Sequence, residues 1–189
     1  MYCPWTGLGL YNGFRGNKWL CNRIKIFKQF VLPTLKAQKD FILWCSWRNQ
    51  ERYNRHVKEF IDYLAEVKEF KTVHTFSGVC FWDDKFPDEI AHERLISSLH
   101  GSMSDLINVT NSDFVLMTIQ PSDDCYSKIA IKGIQEVFEK MPNLQAFGFL
   151  KGYLMNYRTG ELAEYNPKTT PPFFTIGPTV VEPSSFNAR

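Results

Sequence analysis

The feature that most constrains this chain is the alternation of short apolar runs with amphipathic stretches. "DFILWCSW" (40–47) and "DFVLMTI" (113–119) are apolar at nearly every position, as strands covered on both faces require. "KTVHTF" (71–76) reads as a shorter strand, and residues 1–11 as a first one. Between them lie helical patterns. In "ERYNRHVKEFIDYLAEV" (51–67), Tyr53, Val57, Phe60, Ile61 and Leu64 make one stripe with the charges opposite. "WLCNRIKIFKQFVLPTLKAQ" (19–38) sets Ile24, Phe27, Val31 and Leu35 on one face, and Pro33, which has no N–H to donate, should kink or restart that helix. A helix is predicted over 89–109, with Ile96, Leu99, Met103 and Leu106 on one side, and another over 126–141, with Ile134, Val137, Phe138 and Met141 inward. This order predicts an α/β domain with a largely parallel sheet.

The pattern changes after residue 145. "AFGFLKGYLMNYRTGELAEYN" reads as a β-hairpin turning at "RTGE", and "PKTTPPFFTI" as a Pro-rich connection into a short strand. One domain over 1–176 is expected, followed by a polar tail over 177–189.

Composition narrows the function classes. The net charge is only +2, without the clustered basic face that a nucleic-acid footprint needs. No apolar run approaches the roughly 20 residues of a membrane helix, and "MYCPWTGLGLYNG" lacks the pattern of a secretory signal. The five cysteines (Cys3, Cys21, Cys45, Cys80 and Cys125) are odd in number and widely spaced, with no C-x-x-C. That usage points to a reducing, cytoplasmic compartment, with Cys45 and Cys80 as core residues. "NVT" (108–110) matches a glycosylation acceptor but has no secretion signal beside it. His56, His74, His92 and His100 form no metal-binding spacing, and no G-x-S-x-G elbow exists.

Four places carry candidate chemistry. The run "FVLMTI" ends in "QPSDDCY", so Asp123 and Asp124 stand at the carboxyl end of a buried strand, where open α/β sheets bind ligands. They read either as a solvated turn that caps the next helix or as oxygen ligands for Mg²⁺ or Mn²⁺. Asp83 and Asp84, beside Trp82, form a second acidic pair, either a surface turn or a strand-end loop near the same site. "YNGFRGNKW" offers Asn12, Arg15 and Lys18 in a glycine-flanked loop suited to phosphate or a nucleobase, although it is neither a P-loop nor a G-x-G-x-x-G. Arg94 is either a solvated helix charge or a phosphate contact.

Read in order, "RIKIFKQFVLPTLKAQKDFILWCSWR", "FSGVCFWDDKF", "FVLMTIQPSDDCYSKIAIKGIQ" and "GYLMNYRTGELAEYNPKTTPPFFTI" resemble the rhamnosyltransferase-like branch of glycosyltransferases with the GT-A fold, over about residues 12–176. The resemblance implies a Rossmann-type three-layer sandwich with a mostly parallel central sheet and a C-terminal β-hairpin. It also implies a nucleotide-diphosphate sugar donor, a saccharide acceptor hydroxyl and a divalent cation, Mn²⁺ or Mg²⁺. The metal motif of such enzymes is D-x-D at a strand end, often D-S-D-D in this branch. Here the stretch is "PSDD": Pro121 stands where the first Asp would be, Ser122 follows, and Asp123 and Asp124 match the metal-binding carboxylates. Donor-binding positions are then Asn12, Arg15, Asp84, Arg94 and Ser122. No His follows His100, where related enzymes often place a further ligand, and the polar end at Arg189 gives the expectation that the family's C-terminal part is missing or replaced. Glu161 and Glu164 remain as candidates for a catalytic base, and Trp82, Tyr153, Tyr157 and Phe173 for stacking on a base or sugar.

Overall fold

The computed structural model of the chain describes residues 1–9, 14–76, 93, 114–166 and 174–180. The predicted helix over 89–109, the acidic pair Asp83 and Asp84, Cys80 and the segment 181–189 lie outside the described residues, apart from Glu93, which is helical.

The apolar runs become strands as their composition predicts. β1 (Tyr2–Pro4), β2 (Ile42–Ser46) and β3 (Lys71–Thr75) form a parallel sheet in the order β1-β2-β3. Alternate residues of these strands face opposite ways. One face carries Cys3, Leu43 and Cys45, which join Trp5 and Trp47 just past the strands in the main core; the other carries Tyr2 and Trp44. α1 (Asn17–Ile26) and α3 (Arg55–Ala65) pack onto the first face through Leu20, Ile24, Val57, Phe60 and Leu64. The centre is aromatic: Trp5 stacks on Trp47 with ring centroids 5.2 Å apart, and Phe60 meets Trp5 edge-on at 5.0 Å and Phe27 at 5.5 Å. Each such pair adds about 0.5–1.5 kcal/mol beyond its area burial.

Pro33 does not break its helix. α1 runs into a wide π-type turn over Phe27–Val31 and continues as α2 (Leu32–Lys36). The Leu32 N–H reaches back five residues to the Phe27 carbonyl. That widening gives the proline ring room where a regular helix would clash with the preceding turn. The predicted face holds, with Ile24, Phe27, Val31 and Leu35 all buried.

Two predicted stripe positions are corrected. Tyr53 is 89% exposed because the chain forms a short 3₁₀ turn over Asn49–Tyr53 before α3 starts, with the Asn54 side chain accepting the His56 N–H at 2.9 Å. The helix phase is therefore set at Asn54 and leaves Tyr53 off the stripe. Met141 is 54% exposed because α4 (Ala130–Lys140) ends one residue before it; Ile134 and Phe138 are buried as expected.

The sheet is less parallel than predicted. β4 (Phe114–Thr118), β8 (Phe174–Val180) and β5 (Ala146–Gly148) form a second, antiparallel sheet in the order β4-β8-β5. A single parallel bridge, Tyr2 to Ile119, joins it to β1, and the Gln120 N–H donates to the Tyr2 carbonyl at 2.8 Å. β8 enters antiparallel between β4 and β5, a direction that needs no helical crossover. Gly177 permits this insertion: its N–H donates to the Gln145 carbonyl at 2.6 Å, and a Cβ there would collide with the backbone oxygens of Leu144 and Gln145. Residues 177–180, expected to begin a polar tail, belong instead to this strand. The C-terminal hairpin holds over 152–165, where β6 (Gly152–Met155) pairs antiparallel with β7 (Leu162–Tyr165) as a separate two-stranded sheet and Gly160 takes the left-handed backbone its turn requires (φ 76°), whereas Ala146–Gly148, expected within it, pairs with β8 as β5. Among the described residues the result is a mixed α/β fold with one small parallel sheet and two smaller antiparallel ones, not the single Rossmann-type sandwich that the resemblance implies. Among the described residues, no helix is long and apolar enough to cross a membrane.

Candidate functional site

The parallel bridge from Tyr2 to Ile119 lays the chain leaving β4 alongside β1, so the segments that follow both strands run on in the same direction. Two loops leave the sheet there. After β1 the chain runs through Trp5–Gly9, where Gly9 is left-handed (φ 83°) and donates its N–H to the Arg15 carbonyl at 2.7 Å. This turn is clamped from outside: the Arg48 guanidinium donates to the Leu8 carbonyl, and the buried Glu51 carboxylate holds Arg48 through its backbone N–H (2.9 Å) and its Nε (3.4 Å). Burial pushes the Glu51 carboxyl up to about 7, against the opposing pull of Arg48.

The first turns of α1 then present Trp19 beside two guanidiniums. The Arg15 carbon lies 5.1 Å from the ring centroid and that of Arg23 5.4 Å, both within cation–π range. Arg23 extends across to the loop after β4 and forms an ion pair with Asp123. That loop is shaped from beneath by Gln120, fully buried, whose Nε2 donates to the carbonyls of Pro121 (2.7 Å) and Asp124 (2.8 Å). Gln120 Oε1 is buried with no hydrogen-bond partner among the described residues. Tyr126 closes the turn by donating its hydroxyl to the Ile119 carbonyl at 2.6 Å.

The electrostatics of the acidic pair are unbalanced. Asp123 is half-exposed and paired; Asp124 is less exposed, and burial first, then the neighbouring Asp123 charge, push its carboxyl up to about 6 despite the relief from Arg23. Among the described residues, Arg23 alone forms an ion pair with these two carboxylates.

The sequence-predicted residues divide accordingly. Asp123, Asp124 and Ser122 share one turn, and Arg15 lies on the facing loop. Asn12, Asp84, Arg94, Trp82 and Phe173 lie outside the described residues. Neither Asp caps α4, which corrects that expectation. The helix begins after Ile129 with no side-chain cap of its own, and the buried Gln38, beyond the end of α2, accepts the Ile131 N–H at 3.2 Å and donates to the Ser127 carbonyl at 2.7 Å. Tyr153 and Tyr157 are exposed on the hairpin. Glu161 accepts from the Thr159 hydroxyl at 2.9 Å and Glu164 lies exposed on β7; no hydrogen bond or ion pair among the described residues joins either to the acidic turn. Arg23 and Trp19 escaped the sequence reading, although Arg15, Trp19 and Arg23 recur at four-residue spacing in "RGNKWLCNR", the spacing that aligns side chains on one helix face.

A divalent cation fits this turn in one way only. Among the described residues, no three His, Cys, Asp or Glu side chains gather closely enough to hold a metal by themselves. Two adjacent carboxylates with a surplus of negative charge do suit Mg²⁺ or Mn²⁺ when the remaining ligands come from a phosphate-bearing substrate. Comparison with protein-family models, with curated proteins and with solved structures finds no match to this chain.

Proposed function

We propose that this chain is a glycosyltransferase with a GT-A-like site, moving a sugar from a nucleotide-diphosphate donor to a saccharide hydroxyl in polysaccharide assembly. The observation that carries the reading is the meeting of the two loops. β1 pairs with β2 on one edge, and on its other edge the Tyr2–Ile119 bridge brings in the residue that follows β4. The order therefore reverses at β1, and open α/β sheets bind ligands at such reversals, beyond the strand ends. The groups found there are those a nucleotide diphosphate needs. Arg15 and Arg23 offer guanidiniums for phosphate oxygens, Trp19 offers a ring face, and Asp123 and Asp124 offer hard oxygen ligands.

In this reading Arg15 and Arg23 orient the diphosphate and stabilise the negative charge that grows on it as the glycosidic bond breaks. Gln120 and Tyr126 hold the acidic turn in one shape, and Arg48 with Glu51 holds the facing loop. A bound Mn²⁺ or Mg²⁺ would be held by Asp123 and Asp124 and would neutralise leaving-group charge.

A second reading is favoured by one contact. Arg23 already occupies Asp123, and Pro121 stands where the resemblance places another carboxylate. A relative that binds nucleotide or glycan without turnover would look like this.

Calorimetric titration of UDP, GDP and dTDP, with and without Mn²⁺, tests both readings on wild type, Asp123→Ala and Arg23→Ala. The transferase reading expects Mn²⁺-dependent binding that weakens at least tenfold in Asp123→Ala, together with sugar release from the matching donor. Metal-independent binding lost in Arg23→Ala, with no turnover, supports the binding module. No binding of any of the three overturns the transferase reading and leaves, of the second, only a glycan-binding module.

A further inference from the structure

One row of side chains behind the site is not used by the proposed reaction. Cys3 on β1 is the register partner of Cys45 on β2, and Cys45 is the partner of His74 on β3. Partners on adjacent parallel strands point to the same face and lie about 4.8 Å apart, within the about 4.4–6.8 Å that disulfide-linked Cα atoms span. Both thiols are free and fully buried.

The row is chemically asymmetric. The Trp47 indole N–H donates to His74 Nδ1 at 3.2 Å, so the neutral imidazole carries its proton on Nε2. That Nε2 is buried and has no hydrogen-bond partner among the described residues, and Cys45 is the neighbour in register. Burial raises the Cys45 thiol, but its contacts with Cys3 and His74 outweigh burial and bring it below the ordinary value. Burial, with Cys45 beside it, holds Cys3 well above. Because His74 is the register partner of Cys45 and not of Cys3, Cys45 is the sulfur disposed to be the thiolate.

We propose that Cys3 and Cys45 are a peroxide-sensitive thiol pair, in which Cys45 is the attacking sulfur, Cys3 the resolving one and His74 the positioning residue. The Cys45 thiolate attacks one oxygen of hydrogen peroxide and the O–O bond breaks. Cys45 becomes a sulfenic acid, and the released hydroxide takes a proton to leave as water. The Cys3 sulfur then attacks the Cys45 sulfur. The S–O bond breaks, and the departing hydroxide leaves as a second water with the proton Cys3 gives up. Two thiols are oxidised to one disulfide and one peroxide is reduced to two waters. Full burial selects a small oxidant over a bulky disulfide. The new bond would tie β1 to β2 directly below the Trp5–Gly9 loop, so oxidation would stiffen one wall of the candidate site. The inference does not rest on the donor reading, since the thiol row lies in the core.

The test is titration of the reduced full chain with hydrogen peroxide, followed by denaturing alkylation and peptide mass spectrometry. The expected result is a Cys3–Cys45 linked peptide that a dithiol reductant removes. Cys3→Ser should trap the Cys45 sulfenic acid as a dimedone adduct, and His74→Phe should slow disulfide formation about tenfold. Cys125 is exposed and serves as the internal control. Cys3 and Cys45 still alkylated at peroxide levels that consume Cys125 would overturn the proposal, as would either of them linked to a different cysteine. The wild-type measurement alone decides this, even if a buried variant fails to fold.

Discussion

The two ends of the described chain answer the same local pattern in opposite ways. In the parallel half, Trp5, Phe27, Trp47 and Phe60 are all at or below 1% exposure and interlock ring on ring. In the hairpin, Tyr153 is 68% exposed and Leu162 65%, although β6 and β7 pair over four register positions and their turn is well formed. Both faces of the hairpin carry exposed apolar residues: Tyr153, Met155 and Leu162 on one, Leu154 and Tyr165 on the other. Turn chemistry and alternation are enough to make a hairpin. Burial requires a second layer: helices supply it over the parallel sheet, and α4 supplies it to Leu116 of β4 and Phe147 of β5 through Ile131, Ile134 and Phe138.

The contrast can be broken most directly by deleting one ring from each region. Phe60→Ala should cost about 3–5 kcal/mol, because it opens a cavity among rings that cannot collapse inward. Tyr153→Ala should stay within about 0.5 kcal/mol. Denaturant unfolding of both variants checks this, and comparable losses would mean that the hairpin is covered in solution.

A smaller effect separates the clamped loop from the open turn. The Glu51 carboxyl is raised in the folded chain to about 7 from an ordinary value of 4.5. The folded state therefore holds that proton more tightly than the unfolded chain. The associated stability is fully present below about pH 4.5 and is lost as pH rises through about 7. Glu51→Gln removes this slope while keeping an oxygen for the Arg48 N–H. Unfolding measured from pH 4 to 8 should show the variant gaining on wild type across that window, by about 1–3 kcal/mol at the upper end. A parallel pH dependence in the two proteins would place the titration elsewhere.

The smallest expected effect sharpens the hairpin side. Gly160→Ala forces a side chain into a left-handed turn and should cost about 1 kcal/mol. Because the hairpin is a separate sheet, the loss should appear as faster amide exchange in β6 and β7, with the global unfolding midpoint nearly unmoved.

Much of the architecture was legible in residue order. The strands at 42–46, 71–75 and 114–118, the buried face through Ile24, Phe27, Val31 and Leu35, and the hairpin turning near Gly160 all follow from periods of two or 3.6 residues and from glycine at a left-handed position. The partner of the acidic turn was not legible. "QPSDDCY" announces two carboxylates after a strand, but nothing near them in sequence shows that Arg23 pairs with Asp123, that Gln120 holds the turn, or that Gln38 rather than an Asp caps α4.

By itself the sequence determined most of the described strands and helices and the hairpin turn near Gly160. Those depend on interactions among residues a few positions apart. Only the tertiary structure decided that β8 enters antiparallel between β4 and β5, that the chain leaving β4 lies alongside β1, and that Cys3, Cys45 and His74 stand in one row. Each of these is a pairing across many residues of chain. The energy that selects it comes from backbone bonds and packed surfaces formed only when the whole sheet assembles, and such contacts leave no period in the sequence.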